Sequence, residues 1–336
     1  MRIKISNQFV YAVSPCNIRQ WCEELMRYPG VIYVPEGSEE HADIGINVLQ
    51  GVDFSIYIDL SDPHSMVHSI PVDKLVVEKW KNLLQVPYKP PSIVFSNSKE
   101  RGLAYYQKYD VYASMILYTS LKQYLQPLLS TTEIIPLWHS LPEKLFGFFE
   151  NCDRWIDVYM SGAGHPQWYP LRNFIEKVLP FETSFNSVIS KECGNSSKLK
   201  ILQSYSDVRE QIQKYEEQML FYADKIRCSK IMIFDGGLFD YPVKKYFEAM
   251  ACGALVLAPL PIDADLLGFA DDKNMVVIDE TNFIEKIKYY LEHEKERNHI
   301  VENAYQLYQE RYTCRKSVEI FMKKINQIRN EREKRD

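Results

Sequence analysis

Short apolar runs rich in β-branched residues alternate along the chain with longer segments whose apolar residues recur at helical spacing. That alternation predicts an α/β architecture built on parallel sheet. The second half carries it most clearly. Residues 155–160 read as a strand, 169–179 as a helix opened near Pro170, and 184–189 as a second strand. A long helix over 207–223 follows, with Asp207 and Glu210 spaced as a capping box. Residues 230–234 form a strand and a glycine turn comes next. A helix over about 242–251 then carries proline in its first turn, and Gly253 ends it. Residues 254–258 and 274–278 are further strands, apolar on both faces as strands covered by helices on both sides must be.

The first half repeats the plan with weaker signals. Strands are expected over 43–48, 54–60, 92–95 and 134–136, and helices over 17–28, 73–84 and 99–108. The stretch 136–153 holds Pro142 and Gly147 without a clear period, so the domain boundary falls there, between 1–140 and 150–315. Three helices, over 282–293, 297–311 and 315–327, close the chain, and the polar tail from Asn330 is expected to fray. The fold expected is two Rossmann-like domains facing across a cleft, with ligand beyond the carboxyl ends of the strands.

Composition narrows the function classes. A chain of 336 residues is long enough for about two domains. With 46% hydrophobic and 25% charged residues it is neither disordered, collagen-like nor a disulfide scaffold. A net charge of −5 gives no overall positive field to draw it to nucleic acid. The seven cysteines are scattered without a C-x-x-C pair, which argues against structural zinc and for reduced thiols. The N-terminus lacks the apolar core of a signal peptide, and no apolar run nears the roughly 20 residues of a membrane span. A cytoplasmic location is the expectation.

The most informative stretch runs from Phe234 to Ala258. A strand delivers Gly236-Gly237 to the sheet edge, where a ligand can approach the backbone closely. The next helix points its N-terminus at the same place, a seat suited to phosphate or a sugar hydroxyl. Asp240 lies just before that helix and Glu248 two turns inside it, with seven residues between them. A carboxylate can accept paired hydrogen bonds from a cis-diol such as a ribose.

Lys245-Tyr-Phe-Glu-Ala-Met-Ala-Cys-Gly-Ala-Leu-Val-Leu257 resembles the signature of GT-B glycosyltransferases, and is most similar to the spore-maturation CgeB-type branch of the group-1 enzymes. Many members place two acidic residues with this spacing. The first is commonly Glu, so Asp240 departs from the pattern by one methylene. The resemblance implies that Glu248 binds the nucleotide ribose and that Asp240 contacts the donor sugar. It extends to Asp157–Gly164 and Tyr169–Arg172, where Gly162, Gly164 and Arg172 would face a diphosphate, and to Lys245, which matches a basic position of relatives. It is good over about 150–320 and faint before that. It also implies that the terminal helix, 316–336 with its tail, packs back on the first domain.

Each residue has a plainer reading. Asp240 can cap a helix, Arg172 can be a surface cation, and Lys244 with Lys245 a solvated face. In the first half, Asp59, Asp62 and His64 stand at the expected carboxyl end of a strand, where one of them can position or deprotonate an acceptor hydroxyl; turn chemistry explains them equally. His165 adjoins the Gly162–Gly164 turn and can reach phosphate, whereas His139 reads as structural. Asp263-Ala-Asp265 looks like a metal-binding D-x-D but fits a helix cap, Asp271-Asp272 fits a turn, and Cys252 fits packing better than nucleophilic chemistry. No Walker lysine motif, G-x-G-x-x-G or G-x-S-x-G is present.

The activity these readings imply is sugar transfer from a nucleotide-sugar donor, most commonly a UDP-sugar in such relatives, to an acceptor hydroxyl. No cofactor and no essential metal are expected, and a retaining outcome is implied by the two-acid spacing. A nucleotide-sugar epimerase or hydrolase of the same fold, or a non-catalytic binding protein, are the alternatives. The acceptor, whether glycan, lipid or protein, is not specified.

Overall fold

The computed structural model describes residues 1–10, 17–48, 50–59, 111–116, 126, 133–136, 138–148, 153–162, 169–190, 205–237 and 240–334. The strand expected over 92–95 and the helices over 73–84 and 99–108 lie outside them.

Every described strand pairing is parallel. The first sheet joins β1 (Arg2–Ile5), β2 (Ile32–Pro35), β3 (Ala42–Ile46), β4 (Val52–Asp59), β5 (Val111–Ile116) and β6 (Glu133–Pro136) in the order β2-β1-β3-β4-β5-β6. The second joins β7 (Ile156–Ser161), β8 (Ser187–Ser190), β9 (Ser229–Ile233), β10 (Leu255–Ala258) and β11 (Val276–Val277) in the order β8-β7-β9-β10-β11. Both are doubly wound. The winding reverses between β1 and β3, and again between β7 and β9, and such reversals open a crevice beyond the carboxyl ends of the two strands.

The helices that matter for the site are α1 (Ile18–Arg27), α2 (Pro170–Val178), α3 (Tyr205–Arg227) and α4 (Lys244–Cys252). They are followed by α5 (Phe283–Glu292), α6 (Glu294–Arg311) and α7 (Cys314–Glu333). The second sheet shows why its strands are apolar at successive positions. Ile231, Ile233, Leu255 and Leu257 pack on one face with Leu171 and Ile175 of α2 and Ile287 of α5. Met232, Phe234, Val256 and Ala258 pack on the other with α3 and α4. That second layer is continuous with the core of the first domain, including Ile3, Ile44 and Ile56.

The chain crosses between sheets at two places that lie together. Leu141 donates its N–H to the Tyr312 carbonyl at 2.9 Å, and Cys314 donates back to the Leu141 carbonyl at 3.1 Å. Beyond the second crossing α7 lies on α1. Trp21 Nε1 donates to Ser317 Oγ at 3.0 Å, and the Trp21 and Phe321 rings meet edge to face at 5.1 Å.

Several elements differ from the sequence reading. β1, β2 and β5 were not expected. Arg2-Ile-Lys-Ile5 alternates charge with isoleucine and reads as polar, yet Lys4 is buried within the sheet. The long helix already includes Tyr205, so Asp207 sits inside its first turn and is no N-cap. α4 begins at Lys244 with Val243 extended at its N-cap, which leaves Pro242 ahead of the helix and not in its first turn. α7 runs through Glu333, so the polar segment after Asn330 continues the helix instead of fraying there. Gly253 ends α4 with φ 70°, and a Cβ there would overlap the Phe148 ring, so glycine is required on two counts.

Candidate active site at the carboxyl ends of β7 and β9

The reversal between β7 and β9 brings together the residues that follow each strand. β7 ends at Ser161 and is followed by Gly162; after β9 come Phe234, Asp235, Gly236 and Gly237. Asp235 ties the two together. Its Oδ2 accepts the N–H of Arg172, in the first turn of α2, at 3.1 Å, and its Oδ1 accepts the Gly237 N–H at 2.7 Å. One buried carboxylate thus caps α2 from another strand and shapes the glycine turn. Gly237 has φ 81°, a conformation that favours glycine. A Cβ on Gly236 would stand only 3.2 Å from Tyr246 Oη, so that turn is closely packed as well.

Arg172 is 4% exposed, which removes the surface-cation reading. Its guanidinium lies 3.9 Å from the Tyr169 ring centroid and directly against Gly162, where any Cβ would overlap it. Tyr169 Oη in turn lies 3.2 Å from Tyr241 Oη. Arg172, Gly162 and the Asp235–Gly237 turn therefore form one cluster.

Asp240 stands at the turn before α4 with φ 45°, open to solvent on one side. Its N–H donates to the Gly237 carbonyl at 3.0 Å, and its carbonyl accepts the Ile262 N–H at 2.6 Å. The residue joins the glycine turn to the loop after β10. It is not the N-cap of α4, which is Val243. Partial burial, and next the charge of Asp235, raise the pKa of its carboxyl above the usual aspartate range.

Glu248 is 4% exposed, in a helix buried nearly all round. Its Oε2 accepts the Tyr222 hydroxyl at 2.8 Å, and its Oε1 lies 3.1 Å from Lys244 Nζ. Ser161 Oγ at the end of β7 donates to the same Tyr222 hydroxyl at 3.3 Å. Lys244 is therefore an inward partner of Glu248, seated over the Phe146 ring at 5.2 Å, and not a solvated cation. Lys245 beside it is also buried, at 8% exposure.

Asp59 ends β4, one strand from the reversal in the first sheet. Asp62, His64, Gly164 and His165 lie outside the described residues. His139 sits in the first crossing between sheets with its ring 5.7 Å from Phe247. Burial, and next the Lys244 charge, push its imidazole down to about 3, so it is neutral and suits a structural role. Cys252 is enclosed, and burial pushes its thiol up to about 12, which fits packing and not a nucleophile. Asp263 precedes a single helical turn, Ala264–Leu267, whose Leu267 N–H bonds the Asp263 carbonyl at 3.0 Å. Asp271 accepts the N–H of Asp272 in the turn and that of Val277 in β11. Among the described residues no group of three or more His, Cys, Asp or Glu side chains is placed to hold a metal ion. Among them, too, no helix is long and apolar enough to cross a membrane.

Asp235, Tyr222 and Ser161 join the candidate site in the structure and were not among the residues singled out from the sequence. An acid directly before Gly-Gly was a usable signal for Asp235. Nothing local marks Tyr222, whose part depends on α3 crossing the sheet.

Solved structures place this architecture in a known class. Anabaena Alr3699/HepE in complex with UDP and glucose superposes with a TM-score of 0.54 at 9% identity, covering 97% of this chain and 100% of that one. Sucrose-phosphate synthase from Thermosynechococcus elongatus gives 0.57 at 9% identity, covering 97% and 98%. At such identities the likeness is one of fold: two Rossmann-like domains arranged as in the GT-B glycosyltransferases. The family model described as Glycosyl transferase-like matches residues 221–323, the stretch that holds Asp240, Lys245 and Glu248. No curated protein sequence matches the chain.

Proposed function

We propose that the protein transfers a sugar from a nucleotide-sugar donor, a UDP-sugar, to an acceptor hydroxyl, as a GT-B enzyme akin to the CgeB-type branch. The observation that carries this reading is the convergence, at the β7/β9 reversal, of a close-packed glycine turn, a buried arginine and a buried helical glutamate. The glycine turn and the glutamate lie within the stretch matched by the glycosyl transferase-like model, and the arginine is tied to that turn through Asp235. In this reading Arg172, Lys245 and the Gly236 N–H face the diphosphate, while Gly162 and Gly237, whose own N–H groups bond Ser190 and Asp235, let it approach the backbone. The three donors neutralise the charge that develops as it leaves, which such preorganised donors can stabilise by roughly 3 kcal/mol each. No metal is then required. Glu248 receives the ribose diol, and Asp240, exposed at the mouth, contacts the donor sugar in a retaining transfer. Asp59, Asp62 or His64 serves the acceptor. Support for a uridine donor comes from HepE, whose structures hold UDP, UDP with glucose, or UDP-glucose.

A thermal-shift panel of nucleoside diphosphates and nucleotide sugars, run with and without EDTA, tests the reading. A ligand at 100 times its dissociation constant should stabilise the protein by about 2.7 kcal/mol. UDP and a UDP-sugar should do so whether or not chelator is present. Glu248→Gln should weaken that response by at least about tenfold in affinity. A Glu248→Gln protein that responds like the parent sinks the ribose assignment. Donor turnover at full rate without acceptor would favour an epimerase or hydrolase instead.

A further inference from the structure

The hydroxyl of Tyr222 connects two parts of the candidate site that come from different elements. Ser161, which adjoins Gly162 at the end of β7, donates to it, and it donates to Glu248 Oε2 on α4. Lys244 approaches the other carboxylate oxygen. A glutamate on a helix turns about three side-chain torsions, and an unheld carboxylate would present its oxygens in many planes. With one donor on each oxygen, from α3 and from the preceding turn of α4, that plane is set. Each carboxylate oxygen has two acceptor sites, so in the ribose reading the second site on each takes one hydroxyl of the cis-diol. The Tyr222 ring is held independently of its hydroxyl, 6.5 Å from Phe146 and 6.4 Å from Tyr159.

We propose that Tyr222 is a positioning residue that orients Glu248 to read the 2′,3′-diol of the donor nucleotide. The inference rests on the ribose reading of Glu248 given above. It adds that the selectivity of the site for a diol is set from α3, by a group that touches no ligand.

Calorimetric titration of UDP and of 2′,3′-dideoxy-UDP into the parent, Glu248→Gln, Tyr222→Phe and Ser161→Ala proteins separates the possibilities. The parent should prefer UDP, and Glu248→Gln should lose most of that preference. Tyr222→Phe should reduce the preference about fivefold while binding the dideoxy compound as the parent does. Ser161→Ala, which removes only the bond behind Tyr222, should reduce it by a smaller factor, and it gives the answer if Tyr222→Phe fails to fold. If Tyr222→Phe, or Ser161→Ala in its place, keeps the full preference while Glu248→Gln loses it, positioning is overturned and the ribose reading stands. An equal loss of affinity for both ligands in Tyr222→Phe also overturns positioning, since it marks a structural role. A parent that binds UDP no better than the dideoxy compound, or binds neither, overturns the ribose reading and this inference with it.

Discussion

At the scale of single residues the candidate site depends on where the chain cannot carry a larger atom. Gly162 is the sharpest case, because a Cβ there would occupy the space of the Arg172 guanidinium. The obstructing group is the far end of a flexible side chain, so Gly162→Ala should push Arg172 from its place over Tyr169, but φ 155° also strains any residue with a Cβ. The expected outcome is a loss of stability of roughly 1–3 kcal/mol and a loss of diphosphate affinity of at least tenfold, measured by denaturation and by titration. Asp235→Ala should behave in the opposite way. It strips the acceptor from two backbone N–H groups, Arg172 and Gly237, within a buried turn. A cost of roughly 2–4 kcal/mol in chemical denaturation follows from leaving both donors unmet. The two variants separate a residue that shapes the seat from one that holds the protein together around it.

At the scale of elements, legibility followed burial. β7, β9 and β10 were readable because both faces are covered, so their apolar runs are unbroken. β1 was not, because Lys4 stands in the middle of a buried strand and masks the period. Gly236, Gly237 and Glu248 were readable because one contiguous stretch carries them. Tyr222 and Ser161 join Glu248 only through the packing of α3 and β7 against α4, which no local pattern encodes. The first crossing between sheets carries its own testable property in His139. Its imidazole stays neutral in the folded protein down to about pH 3, whereas an unfolded histidine takes up a proton near pH 6.5. Between those values the unfolded chain holds the extra proton, so stability is full above about pH 6.5 and falls as pH drops below it. The slope approaches about 1.4 kcal/mol per pH unit, the limit for one proton. His139→Gln cannot take that proton. Denaturation midpoints measured from pH 4.5 to 7.5 should show a flatter acid limb for the variant, whatever its stability at neutral pH.

At the scale of the whole molecule, α7 follows the second domain in sequence and packs on the first. Trp21 of α1 is its main anchor, 2% exposed, hydrogen-bonded to Ser317 and stacked edge to face on Phe321. A second tie between the halves runs from Arg19 of α1 to Glu216 of α3 at 2.5 Å, with Lys144 at 3.1 Å from the same carboxylate. One helix, α1, therefore faces both α3 and α7 and joins the two halves beside the core layer they share. Trp21→Ala removes the largest buried side chain from that junction and should cost roughly 3–5 kcal/mol. Because the loss falls on the first domain, the single cooperative transition expected of the parent should split, with the first domain melting earlier. A nucleotide bound at the β7/β9 reversal contacts the second domain, so UDP should raise the later transition and leave the earlier one in place. Differential scanning calorimetry with and without UDP checks this. A Trp21→Ala protein that melts in one step, with UDP moving all of it, would mean that the shared core beneath α3 and α4, and not α7, couples the two halves.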